Sequence, residues 1–276
     1  MFGTLPRAGL VAAAAAALAL GSVPGNASPA RAAASAGTAA TPHWASIASA
    51  RIHPGSSVVI AGTPCVAGFV LRSGHRVFLT VPASCTGVSS GKPTDGCSEA
   101  QVPGGTPVTI RGARHPGTIV YSSFTQMQLH GETRPNRCQN NSLSLILLDR
   151  RDIRRTNPSV PVLGGPTGVA TSAPPRGAQL YAYIKSSTTA VATKSQASGW
   201  AQQMVPAASA GTSDIGSPVL TQTGKALGMV TIVQQTNAGP STVSRLDHEL
   251  RYLRRTHGFH HVHLVSGTAS YKPPAL

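Results

Sequence analysis

Acidic residues are scarce in this chain: eight Asp+Glu face 23 Lys+Arg among 276 residues, a formal charge of +15. Charge of either sign is itself sparse, at 11% of residues, while apolar side chains make up 41%. A disordered polycation has the reverse balance, so the body of the chain is expected to fold around a core. Aromatic residues are few, at 4%, whereas Gly (29) and Pro (22) are plentiful. That composition favours short strands and turns over long helices. The positive charge therefore reflects missing acids rather than a crowd of bases. The length accommodates one large domain or two small ones.

The apolar run at residues 8–20 falls short of the ~20 residues that a bilayer-spanning helix takes. It follows Arg7 and precedes small residues at Gly25-Asn26-Ala27 and Ala30-Arg31-Ala32. This is the layout of a secretory signal peptide, expected over residues 1–32. Residues 33–50 read as a flexible Ala/Ser-rich leader. The expected destination is extracellular or the cell envelope.

Close cysteine pairs of the C-x-x-C kind are missing, which argues against a zinc site built on sulfur. The four cysteines present, Cys65, Cys85, Cys97 and Cys138, suit disulfides in an oxidising compartment, and four cysteines allow three pairings. Residues 66–71 and 76–81 read as strands joined by the Ser73-Gly74 turn. Folding them antiparallel brings Cys65 back near residue 82, within reach of Cys85, and leaves Cys97 for Cys138.

Strand signals continue at 106–111, 117–124 and 142–148, pass a Pro/Gly-rich crossing at 157–166, and resume at 179–184, 190–194, 200–205, 217–221 and 226–233. Short strands with regular turn signals point to barrels or sandwiches. One helix is expected, at 244–257, where Val243, Leu246, Leu250 and Leu253 share a face and Ser244 and Asp247 stand at capping-box spacing. The chain thus reads as all-β, with a first unit over 51–156, a second over 157–242, and a helix and tail over 243–276.

The blocks Cys65-Val66-Ala67-Gly68-Phe69-Val70, Ala83-Ser84-Cys85, Asn141-Ser142-Leu143-Ser144-Leu145 and Ser213-Asp214-Ile215-Gly216-Ser217-Pro218 stand in this order. Together they resemble the chymotrypsin-like (trypsin-like) serine peptidases, in particular their secreted bacterial branch. Thr94-Asp95-Gly96-Cys97 and the stretch from Pro116 to Ser123 add to the likeness, which spans about residues 52–267. It implies two six-stranded antiparallel β-barrels, a substrate cleft between them and a C-terminal helix.

Hydrolysis in that family uses a hydroxyl nucleophile, an imidazole base and a carboxylate that orients the imidazole. The family's histidine stands inside Ala-His-Cys, its aspartate in Asn-Asp-Leu-Ala-Leu and its serine in Gly-Asp-Ser-Gly. This sequence places Ser84, Ser142 and Ile215 there, with Ser213 and Ile215 at the oxyanion turn. Ser84 has no base in the right pH range, Ser142 has no charge, and Ile215 has neither a proton to give nor a lone pair to attack with. The expectation is a pseudopeptidase that acts by binding, the former cleft or the basic surface holding a peptide, a protein or a polyanion, without a cofactor.

Two other readings compete. An active serine-type hydrolase with relocated residues would draw on Ser209, Ser213 or Ser217 and on one of ten histidines. Neither His75, in a hairpin turn, nor His115, in another loop, has a spacing that argues for the base, and Lys185 reads as a solvated lysine after a strand. A cationic envelope-associated module would instead use Arg150, Arg151, Arg154 and Arg155 with Arg245, Arg251, Arg254 and Arg255. Such clusters attract extracellular polyanions or membrane surfaces, and no nucleic-acid motif accompanies them. His261 and His263 fall on one side of an extended segment, a weak metal pattern against which simple packing of the tail is the better account.

Overall fold

The computed structural model describes residues 42–88, 95–184, 188–196, 198–206, 210–232 and 240–274. The expected signal peptide, most of the leader, Thr94, Lys185, Ser209 and Val233 lie outside them. No described helix is long and apolar enough to cross a membrane.

The first half folds as β1 (Ser57–Ile60), β2 (Thr63–Val66), β3 (Val70–Ser73), β4 (Arg76–Val81), β5 (Pro107–Ile110), β6 (Gly117–Ser122) and β7 (Ser144–Leu147). These pair antiparallel in the order β3-β4-β7-β6-β5-β1-β2. Strand β2 ends this order and β3 begins it, with a short tail strand, His263–Leu264, paired outside β3; β2 and β3 are joined only by Ala67, Gly68 and Phe69. Chain continuity thus curls the sheet into a barrel in which residues 63–73 act as one bent strand. The single strand expected over 66–71 is accordingly split, because the chain changes partner there. Ala67 N–H donates to Ser56 O at 2.8 Å, whereas Gly68 N–H donates to Thr80 O at 2.7 Å. A β-carbon at Gly68 would lie 2.4 Å from Met229 Sδ and 2.7 Å from Thr80 Oγ1, so any larger residue at the bend would have to displace both side chains. Alternate residues of β1 and β5 point inward and fill the barrel with Val58, Ile60, Val108 and Ile110.

Two helices that the sequence reading did not anticipate separate β6 from β7: α1 (Ser123–Leu129) and α2 (Pro135–Asn140). The strand expected over 117–124 therefore stops at Ser122. In α1, Phe124 and Met127 are buried one turn apart, and α2 has Pro135 at its first position, where a missing N–H costs nothing.

The second half forms a closed six-stranded barrel from β8 (Gln179–Ala182), β9 (Ala190–Ser195), β10 (Ala201–Pro206), β11 (Pro218–Thr221), β12 (Ala226–Ile232) and β13 (Ser241–Arg245), in the order β10-β13-β12-β11-β8-β9. Helix α3 (Leu246–Leu253) follows β13 directly. It starts two residues later than expected, because β13 holds residues through Arg245, and it ends four residues earlier, at Leu253. Val243 consequently packs inside the barrel and not on the helix face, and the helix has no side-chain cap at Ser244. Arg245 Nη2 instead meets Asp247 Oδ1 at 3.0 Å.

Leu246, Leu250 and Leu253 of α3 join Phe69, Leu145 and Met229 in a core that lies between the barrels. The tail then returns to the first barrel as β14 (His263–Leu264), which pairs with β3, and Gly165 N–H donates to Ala269 O at 3.0 Å. The cysteines pair as expected, Cys65 with Cys85 across 20 residues and Cys97 with Cys138 across 41. Replacing Cys65 and Cys85 together by Ser is expected to lower unfolding free energy by about 3 kcal/mol, read as a shift in the urea midpoint of the purified protein.

Candidate functional site

The three positions singled out by the resemblance converge where the barrels meet. Ser84 lies in the short helical turn Ala83–Thr86, which follows β4 and is anchored by the Cys65–Cys85 disulfide. Ser142 lies just before β7, and its Oγ accepts the Ala83 N–H at 3.0 Å. Ile215 closes the turn Thr212–Asp214, and its carbonyl accepts the Val66 N–H at 2.9 Å. The next residue, Gly216, sits against the Val66 carbonyl and the Pro82 ring.

The three positions hold two serines and an isoleucine, and none carries an imidazole or a carboxylate. The Ser142 hydroxyl is buried and committed to a backbone amide. Ser84 Oγ is buried without a hydrogen-bond partner. The Ile215 side chain packs on the first barrel's core, and its N–H donates back to Thr212 O at 3.3 Å. That amide is turned into its own loop, so it does not face a cleft as an oxyanion donor must. Asp214 is buried and accepts the Gly211 N–H at 2.7 Å, which fixes the same loop, while Ser213 is exposed on it. Ser217 is buried, with its N–H bonded to Asp214 O at 3.0 Å. Among the described residues no histidine hydrogen-bonds to any of these serines. His75 is exposed in its turn, and His115 Nδ1 lies 3.0 Å from Asp152 Oδ2.

No family model matches the chain, and no curated protein matches it. Solved structures do. The chain is similar to Thermobifida fusca Protease A, with 15% identity, 79% of this chain and 100% of that one covered, and a TM-score of 0.52. It is also similar to alpha-lytic protease homolog N4, with 14% identity, 72% and 95% covered and a TM-score of 0.48. A third is a glutamic acid specific serine protease, with 13% identity, 78% and 100% covered and a TM-score of 0.49. The fold is that of the chymotrypsin-like serine proteases. At such identity the likeness concerns the backbone alone, and the chemistry has to be read from the side chains present.

Within this chymotrypsin-like fold the sequence reading missed one group at the site. Glu249, on the inner edge of α3, is fully buried, and its Oε1 accepts the Ser142 N–H at 3.1 Å. Burial pushes its carboxyl up to about 7, against the backbone N–H of Ser142 and the nearby Ser244 hydroxyl, which pull it down, and with help from the charge of Asp247. The signal was present in the sequence, since Glu249 stands three residues after Leu246 and beside Leu250 on the helix's apolar stripe.

The arginine clusters are only partly available. Arg151 pairs with Asp149 at 2.9 Å and holds that carboxyl well below its ordinary value. Arg155 donates to Gly112 O at 3.2 and 3.1 Å. Arg150 and Arg154 are exposed, and among the described residues their side chains have no partner. On α3 and its exit, Arg245 is buried against Asp247, and Arg254 Nε donates to Val262 O at 2.9 Å. Arg251 and Arg255 remain on the surface. In the tail His261 and His263 are both exposed, and His263 Nδ1 lies 3.1 Å from the His261 carbonyl. Asp95, Cys97 and Cys138 cluster with metal-like spacing, but both sulfurs are in the disulfide.

Glu249 makes stability depend on pH with a definite sign. Its native carboxyl keeps a proton up to about pH 7, whereas the unfolded side chain loses it near pH ~4.3. Its contribution is thus full below the unfolded value and is lost as pH rises through the native one. His248 titrates with the opposite sign, so the readout is a difference between proteins. Glu249→Gln, which keeps the acceptor for Ser142, is expected to gain about 2–3 kcal/mol relative to the unsubstituted protein between pH ~5 and ~8 in urea unfolding. An unchanged difference across that range would show that no proton is held there.

Proposed function

We propose that this chain is a secreted protease homologue that does not hydrolyse peptides and acts by binding. The observation that carries the reading is the backbone site itself. Ser84, Ser142 and Ile215 occupy one junction between the barrels, yet none carries an imidazole or a carboxylate, and isoleucine stands where the family has its nucleophile. Loss of a complete triad costs roughly 10⁶-fold in turnover, about 8 kcal/mol of transition-state stabilisation. An oxyanion hole alone can leave a residual acceleration, but the Ile215 N–H is hydrogen-bonded inside its own turn. Two disulfides agree with an oxidising, extracellular destination. The partner is a peptide or protein held at the former cleft, or a polyanion held by the cationic surface.

A fluorescent serine-directed phosphonate separates this reading from a relocated active site. The purified protein is expected to remain unlabelled and to leave unstructured peptide substrates intact. Labelling that disappears in Ser213→Ala or Ser217→Ala would overturn the proposal in favour of an active hydrolase. Reinstalling the chemistry is expected to need more than Ser84→His, Ser142→Asp and Ile215→Ser. A carboxylate at residue 142 would share its surroundings with Glu249, so hydrolysis is expected to rise further when Glu249→Gln is added to the triple variant.

A further inference from the structure

Helix α3 presents its leucines to the interbarrel core and its basic side chains to a depression shared with α2 and the start of β10. Arg137, Trp200, His248, Arg251, Tyr252 and Arg255 line it. Tyr252, Arg137 and Arg255 also form the wall of an adjoining groove that reaches Arg134. The sequence reading had only two of these arginines, Arg251 and Arg255. Folding adds Arg134 and Arg137 from more than a hundred residues away.

The depression is a built arrangement. The Arg137 guanidinium lies 5.3 Å from the centre of the Trp200 ring and 5.7 Å from that of Tyr252, and Glu132 pairs with it from the groove side. Its Nε is buried and has no hydrogen-bond partner. Stacking between two rings fixes the position of that cation before any ligand arrives, which lowers the ordering cost of binding. Arg251 Nη2 donates to His248 Nδ1 at 3.0 Å and lies 3.3 Å from Asp247 Oδ2, so it too is oriented. The Arg255 side chain has no partner among the described residues.

Charge and shape narrow the ligand. Five guanidiniums, Arg134, Arg137, Arg245, Arg251 and Arg255, share two carboxylates, Glu132 and Asp247, which leaves cationic capacity unused. Arginine forks match the oxygens of sulfate and phosphate with paired hydrogen bonds. His248, whose ring lies 5.1 Å from that of Trp200, is held below its ordinary pKa by burial and then by Arg251 and Arg245, against Asp247, so at neutral pH it contributes polarity without charge. Half-buried Trp200 and Tyr252 supply flat apolar surface beside the cations. An inorganic anion would use only the arginines. A sugar ring bearing an anionic ester would use both, with the apolar face of its C–H groups on the aromatics.

We propose that the depression between α2, α3 and Trp200 binds a sulfate or phosphate ester carried on a sugar ring, with Arg137, Arg251 and Arg255 taking the anion. This deepens the binding half of the function proposed above and rests on it, whereas serine labelling tests the loss of hydrolysis, so the two fail independently. Calorimetric titrations of the purified protein at physiological salt with a glucose monosulfate, a glucose monophosphate, inorganic sulfate and inorganic phosphate test it.

At least one sugar ester is expected to bind about tenfold more tightly than its inorganic anion, and comparison of the two esters assigns the source. Arg251→Ala with Arg255→Ala, both on the surface and away from the core, is expected to weaken that ester by about tenfold or more. Trp200→Ala is expected to bring the ester down to the level of the inorganic anion. Unchanged affinity in the double arginine variant would overturn the proposal. Equal loss on replacing Arg150 and Arg154 would also overturn it, as diffuse charge. A short single-stranded oligonucleotide that displaces the ester and binds more tightly would overturn the sugar assignment.

Discussion

The carbonyl oxygen of Val66 lies 1.8 Å from where a β-carbon on Gly216 would be, and the Val66 N–H donates to Ile215 O. Backbone thus meets backbone at the junction of the barrels, with no side chain between. Gly216 has φ +103, a conformation that an L side chain rarely adopts, so the contact excludes any other residue on two grounds. Its N–H donates to Val230 O, and Val230 N–H donates in turn to Ser217 O. The turn that carries Ile215 is therefore fixed by main-chain bonds to β2 on one side and to β12 on the other. None of these bonds depends on which side chain stands at position 215. The same holds at Ala83, whose N–H needs only an oxygen at position 142, which serine supplies as well as aspartate does. Main-chain contacts thus hold this junction whichever side chains stand at positions 84, 142 and 215.

Glu249 shows the less tolerant side of this design. A carboxyl buried without a cation must hold a proton or lose stability, and the Ser142 amide satisfies only one of its oxygens. Its position on the inner edge of α3 couples the helix to the loop before β7, while Leu246, Leu250 and Leu253 bind the same helix to both barrels. The outer edge is left to Arg251 and Tyr252. One short helix therefore does two jobs: it closes the interbarrel core and displays a basic, aromatic surface at a fixed orientation.

What the sequence made legible follows from the range of the interactions involved. The Cys65–Cys85 pairing was legible because the β3–β4 hairpin about Ser73-Gly74 returns the chain to the neighbourhood of Cys65, although Cys65 itself pairs with Val58 of β1. Five of the six strands of the second barrel were legible from local turn signals, whereas β13 was not, its last residues having the apolar spacing of the helix that follows. The break at Gly68 was not, since its cause is a change of partner from Ser56 to Thr80 and the proximity of Met229. Helices α1 and α2 have seven and six residues, too few for a periodic pattern to stand out against turn signals. Counting arginines on a linear chain also overstated two clusters. Arg245 is a buried ion-pair partner and Arg254 caps a carbonyl, while Arg137 was hidden far away in the segment before Ser142.

The scarcity of acids takes on meaning once each is located. All eight fall within described residues and each has a partner. Asp95 accepts the Cys97 amide, Asp149 and Asp152 hold the corner after β7, and Glu132 fixes Arg137. Asp214 fixes the Ile215 turn, Asp247 pairs with Arg245, and Glu249 is buried. Acids placed for internal geometry cannot also screen distant surface cations, because an ion pair neutralises chiefly its own partner and salt cuts off longer reach. The unpaired arginines therefore set the sign of the field outside the molecule. Cancelling a formal charge of +15 would take as many added surface acids. In their absence the net charge stays positive, and Trp200 and Tyr252 set flat apolar surface beside Arg137, Arg251 and Arg255.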